Sequence, residues 1–167
     1  MSQSGRLPTI APYELPPESE LPASRARWTL AQDRAALLVH DMQAYFVDAF
    51  QPGSAPIAPA IANLAKLAQQ CRKAGIPVFY TAQIGAQEPH DRGLQGHLWG
   101  PGMRHAPEHE QIVAPLAPQD GDIVLVKHRY SAFQRSNFAE LLRARGRGTR
   151  HAHLKHEVEC SHDLDHQ

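Results

Sequence analysis

At 167 residues the chain is one domain by length and long enough to bury a real hydrophobic core. Lys plus Arg and Asp plus Glu number 17 each, so net charge gives no reason to expect nucleic acid or an anionic membrane as partner. Two distant cysteines, Cys71 and Cys160, suggest neither a disulfide framework nor a zinc ribbon; with no basic-then-apolar leader and no apolar run near the roughly 18 residues of a membrane span, the expectation is a soluble, cytoplasmic protein.

Residues 1–27, including "LPTIAPYELPPESELPAS", are proline-rich and irregular, an arm that is either disordered or laid extended across a larger surface. "RAALLVHD" (34–41) is short, apolar and without alternation, the pattern of a buried parallel strand. Residues 57–74 place Ile57, Ile61, Leu64 and Leu67 at helical spacing, with Gly75 as the stop. "IPVFYTAQ" (76–83) predicts a second strand. A long loop follows, from residue 84 to 111, with glycines, a tryptophan and four histidines. "DIVLVKHRYSAF" (122–133) predicts a third strand running into Lys127, and "SNFAELLRARG" (136–146) a helix capped by Ser136 or Asn137 and stopped by Gly146.

Strand, helix, strand, loop, strand, helix is the grammar of an α/β domain with a parallel sheet, here spanning 28–147. In such sheets ligands bind outside the carboxyl ends of the strands. All three strands end polar at that edge, on Asp41, Gln83 and Lys127. An Asp and a Lys at neighbouring tips can approach within a few ångströms. The ammonium favours an ionised carboxyl, while desolvation against Met42, Phe46 and Phe133 opposes ionisation. A carboxyl so poised can give and take protons near neutral pH. A structural ion pair, or an Asp capping the following loop, is the plainer alternative.

"LLVHDMQAYF", "YTAQ", "DRGL", "WGPGM" and "VKHRYSAF", in that order and spacing, resemble the isochorismatases of the cysteine-hydrolase superfamily. More narrowly they are similar to the enzymes of siderophore and phenazine pathways, as are "LPTIAPYELP" and "ARWTL" before the first strand. The resemblance implies a Rossmann-like three-layer α/β/α fold and hydrolysis of a vinyl ether without metal or cofactor. Isochorismate, or its 2-amino counterpart, would lose its enolpyruvyl side chain as pyruvate. Carried over, Asp41 would protonate the methylene carbon and Lys127 would set that carboxyl's protonation and hold substrate charge. Gln83 and Arg92 would bind the carboxylates of a small dicarboxylate substrate, Tyr130 would add a hydroxyl contact, and Phe46 and Trp99 would wall the pocket. A homodimer is implied where the fold is complete. Each residue keeps a plainer reading: Gln83 closing a strand end, Arg92 as a solvated charge, Trp99 as packing.

Nicotinamidase relatives carry an Asp-x-His metal site after the second strand, and "TAQIGAQEPHDRG" has no such spacing. After "LLRARGR" the family continues with a fourth strand and a Gly-x-Tyr-Ala-His turn, whereas this chain reads "GTRHAHLKHEVECSHDLDHQ". Residues 148–167 are therefore expected as a divergent, His-rich, disordered tail without a strand, out-of-frame or truncated in origin. Its His151, His153, His156, Cys160 and His162 match no structural zinc pattern. The fold would then stop after the third strand and its helix, leaving the first strand as a bare edge. Two further readings follow: an inactive interaction module pairing through that edge, and an amidase, for which Cys160 has the wrong surroundings.

Overall fold

A computed structural model describes residues 7–23, 25, 29–147 and the backbone of 152–153. The sheet is built from β1 (Leu37–His40), β2 (Val78–Ala82), β3 (Ile123–Val126) and β4 (Ala152–His153). Its order is β3-β2-β1-β4 with every pairing parallel. The helices are α1 (Ala44–Val47), α2 (Ile57–Lys73), α3 (Pro89–Arg92), α4 (Leu94–Trp99), α5 (Pro107–Glu110) and α6 (Phe138–Ala144).

Side chains alternate across a strand, so β1 feeds both faces of the sheet. Leu37 and Val39, with Val78 and Tyr80, pack against Leu64, Ala68 and Cys71 of α2. Leu38, with Phe79 and Leu125, packs against Phe138 and Leu142 of α6 on the other face. Because both faces are covered, the strand reads as an unbroken apolar run. Phe79 meets Phe138 edge to face, with centroids 5.0 Å apart; truncating either ring to Ala costs about 3–5 kcal/mol. The strand begins later than the apolar run because Arg34 closes a turn onto the Ala31 carbonyl at 3.0 Å.

Helix ends follow local chemistry. Gly75, with φ +68°, sits one residue past the C-cap of α2, where the left-handed conformation carries no steric penalty for glycine. At the start of α6 the Ser136 hydroxyl accepts the Phe138 N–H at 3.3 Å, so of the two expected caps Ser136 supplies the bond.

Two expectations are corrected. Segment 84–111 is not a plain loop: it holds α3, α4 and α5, each short. Pro89 and Pro107 start two of them, where a missing N–H costs nothing. The region past 147 was expected to lack a strand and leave β1 bare. Instead Ala152 and His153 pair with Leu37 and Leu38. A two-residue ladder needs only extended backbone, so no apolar run announces it. The rest of the expected tail, including His151, His156, Cys160 and His162, lies outside the described residues. Apart from the half-buried Leu7, the N-terminal arm is exposed over its described residues and bonds to the body through Ile10 N–H to the Ala49 carbonyl at 2.7 Å and Tyr13 N–H to the Ala55 carbonyl at 3.3 Å.

Candidate active site

One step along the α6 face turns the sheet from core to polar cluster. Leu38, Phe79 and Leu125 are buried among aromatic rings. Two residues later on each strand, hence on the same face, stand His40, Thr81 and Lys127. Lys127 extends the ladder through its N–H to the Ala82 carbonyl at 2.9 Å. Its side chain is only 2 % exposed.

Continued extended backbone would send Asp41 to the opposite face. Its φ is +54° instead, in the left-handed region that Asp tolerates better than most residues and that costs about 1–3 kcal/mol. The turn brings the carboxylate to the same cluster. Lys127 Nζ donates to Asp41 Oδ2 at 2.6 Å and to the Tyr130 carbonyl at 3.2 Å, and it lies 3.1 Å from His40 Nε2. The Thr81 hydroxyl contacts Asp41 Oδ1 at 3.2 Å, accepts the Asp41 N–H at 3.2 Å and lies 2.6 Å from His40 Nδ1.

The next residues are held just as firmly. Gln43 is fully buried, and its amide pairs with the Gln83 backbone like a strand: Nε2 donates to the Gln83 carbonyl at 2.8 Å, and Oε1 accepts the Gln83 N–H at 2.7 Å. Nε2 also reaches the Glu110 carbonyl at 2.6 Å. The Glu110 carboxylate accepts the Gly85 N–H at 2.6 Å and meets His105 Nδ1 at 2.8 Å, which together hold its pKa below the usual glutamate range. The segment 83–111 is thus stitched to the turn after Asp41.

The structure unites Asp41 and Lys127 directly. Gln83 has its backbone pinned by Gln43, at the tip of β2. Arg92, 7 % exposed, donates from Nε to the Gly100 carbonyl at 3.0 Å. The guanidinium passes so close to Gly102 (φ +73°) that a Cβ there would fall 2.3 Å from its Nη1, which only glycine avoids. Burial raises the Tyr45 pKa, and the Arg92 charge partly offsets that shift. Phe46, on α1, is half-buried and packs edge to face on Tyr45 with centroids 5.2 Å apart. Trp99 donates from Nε1 to the Tyr130 hydroxyl. Both are open to water, Trp99 at 59 % and Tyr130 at 41 %. Two clefts, of about 280 and 460 Å³, flank α2, and neither is lined by Asp41 or Lys127. Sequence reasoning missed His40, Thr81 and Gln43. The signal was present: in each strand an apolar residue is followed two positions on by a polar one, at Leu38 and His40, Phe79 and Thr81, Leu125 and Lys127.

A three-layer α/β domain with a carboxylate and an ammonium paired at its strand ends defines a class, and comparison gives it a family. The Isochorismatase domain matches residues 35–151, and the chain belongs to the isochorismatase family. Over 141 residues, 84 % of the chain, it is 50 % identical to "Isochorismatase" of Bacillus subtilis, covering 45 % of that protein. It is 42 % identical to "Enterobactin synthase component B" of Escherichia coli and 45 % identical to "Phenazine biosynthesis protein PhzD1" of Pseudomonas aeruginosa, covering 50 % and 67 % of them. The chain thus spans about half the length of the first two of these relatives. Among solved structures, an isochorismatase family protein of Desulfovibrio vulgaris superposes with a TM-score of 0.54 at 32 % identity, over 68 % of this chain and 62 % of the other.

Proposed function

We propose that this chain carries the catalytic pair of an isochorismatase-type hydrolase that cleaves the enolpyruvyl ether of isochorismate or its 2-amino counterpart, releasing pyruvate. The observation that carries the reading is the 2.6 Å contact of Lys127 Nζ with Asp41 Oδ2 at the carboxyl ends of parallel strands. Relatives named for isochorismatase, enterobactin and phenazine functions support it.

Asp41 delivers a proton to the methylene carbon of the enol ether, and the double-bond electrons form the new C–H bond. The adjacent carbon becomes an oxocarbenium ion, which water attacks. The water's proton passes to Asp41, and the hemiketal collapses to pyruvate and a ring hydroxyl. As the first proton leaves, negative charge grows on Asp41, and the ammonium of Lys127 stands ready to stabilise it without reorganisation. Arg92 grips a substrate carboxylate through its planar fork, oriented by the Nε bond to Gly100. Gln83 and Tyr130 add polar contacts, and Phe46 and Trp99 supply apolar walls that close over a bound substrate.

The purified chain incubated with isochorismate, with pyruvate followed through lactate dehydrogenase and NADH, tests this. Turnover proportional to protein supports the reading; folded protein that releases no pyruvate above background removes it for this chain.

A further inference from the structure

His40 has no role in the chemistry above, yet it touches both groups that hold the acid. Its ring lies buried between Thr81 Oγ1, 2.6 Å from Nδ1, and Lys127 Nζ, 3.1 Å from Nε2. Donor counting decides how the ring is protonated. An ammonium only donates, so Nε2 must accept, and the proton of the neutral ring sits on Nδ1. Nδ1–H then donates to the Thr81 oxygen, which also accepts the Asp41 N–H. With both lone pairs engaged, the single hydroxyl hydrogen is left for Asp41 Oδ1. The three ammonium hydrogens of Lys127 match His40 Nε2, Asp41 Oδ2 and the Tyr130 carbonyl. The opposite tautomer aims Nε2–H at the ammonium and draws the threonine hydrogen away from Asp41.

We infer that His40 and Thr81 are positioning residues: a neutral, Nδ1-protonated His40 closes a directed ring from Lys127 through Thr81 back to Asp41 and thereby fixes both oxygens of Asp41 in its ionised form, the form it takes between giving its proton to substrate and regaining one from water. The proposal rests on the catalytic pair described above and adds the two side chains that aim it. Their effect reaches the reaction only through where Asp41 and Lys127 are held, and a displacement of about 1 Å at such a pair costs on the order of a hundredfold in rate.

The first test needs no substrate. In ¹⁵N-labelled protein at neutral pH, long-range ¹H–¹⁵N correlation of the histidine rings, with His40 identified by its loss in His40→Gln, is expected to show a protonated Nδ1 and a bare Nε2. A bare Nδ1, or a doubly protonated ring, overturns the ring's direction. The second test is kinetic. Thr81→Val keeps the side-chain shape but removes the hydroxyl, and kcat for pyruvate release should fall at least tenfold at nearly constant KM, with Thr81→Ser restoring most of it. Unchanged kcat in folded Thr81→Val overturns the positioning role. If the valine variant fails to fold, the tautomer alone decides. If the wild-type chain releases no pyruvate, the catalytic reading fails while the ring spectrum still stands or falls by itself.

Discussion

Two ion pairs in this domain look alike by distance and differ in everything else. Lys127 meets Asp41 at 2.6 Å, and Arg72 meets Asp122 at 2.6 Å. The second is a two-pronged clamp: Arg72 Nε and Nη2 both reach the Asp122 carboxylate, at 3.2 and 2.6 Å, and Nη2 also donates to the Tyr80 hydroxyl at 2.8 Å. The Asp122 carboxylate accepts the Gln119 N–H as well, at 2.8 Å. This pair ties the end of α2 to the start of β3, and neither residue departs from ordinary backbone geometry. Asp41 lies at the opposite ends of the strands, in a left-handed conformation, and its partner is the point charge of a lysine rather than a planar fork. Contact length says that a pair exists. Strand polarity and backbone strain single out the Asp41–Lys127 pair as the one proposed for chemistry.

Breaking each pair in turn tests that contrast. The largest effect should come from Asp41→Asn, which keeps the shape and removes the transferable proton: kcat for pyruvate release should drop on the order of a thousandfold. Thermal unfolding of the same variant should show that it folds. Lys127→Met should lower kcat about a hundredfold, since charge on Asp41 loses its stabilising neighbour. It should also destabilise the fold by about 1.5–3 kcal/mol in urea titration, because the part-buried Asp41 carboxylate loses its charge-assisted bond to the ammonium. Asp122→Asn should invert the pattern, losing about 1.5–3 kcal/mol of stability with charge-assisted bonds weakened and kcat unchanged. A loss of turnover there would erase the distinction between the pairs.

The smallest effect belongs to Glu110. Its folded pKa lies below the ordinary value of 4.5, so its contribution is present above that value and is lost as pH falls through the lower folded one. Glu110→Gln should therefore flatten the acid limb of the stability curve below about pH 4.5 relative to wild type. Unfolding midpoints measured across that range check it.

Much of this was legible in the sequence because strands buried on both faces write themselves as apolar runs, and their polar ends mark the sheet's rim. Asp41, Gln83 and Lys127 were found by that rule, and Gly75 and Gly146 marked helix ends. What stayed hidden depends on contacts rather than pattern. His40 and Thr81 sit inside segments that read as strand, and nothing in the spacing turns them toward Asp41. Gln43 is invisible because it bonds backbone forty residues away. The helices of 84–111 are too short for a periodicity, and β4 is two extended residues with no apolar signature. Trp99 and Tyr130 are recognisable as a pair only once the chain folds α4 against the turn after β3.

Isotope labelling of the reaction itself is the most direct check on proton delivery to the vinyl carbon followed by attack of water on the side-chain cation. With isochorismate turned over in H₂¹⁸O, the ring product should carry no ¹⁸O in its new hydroxyl, because the ring carbon–oxygen bond is never broken; in D₂O the pyruvate methyl, quenched rapidly, should hold one deuterium from solvent. An ¹⁸O-labelled ring hydroxyl would mean that the ring carbon is attacked instead, and the role assigned to Asp41 would be wrong.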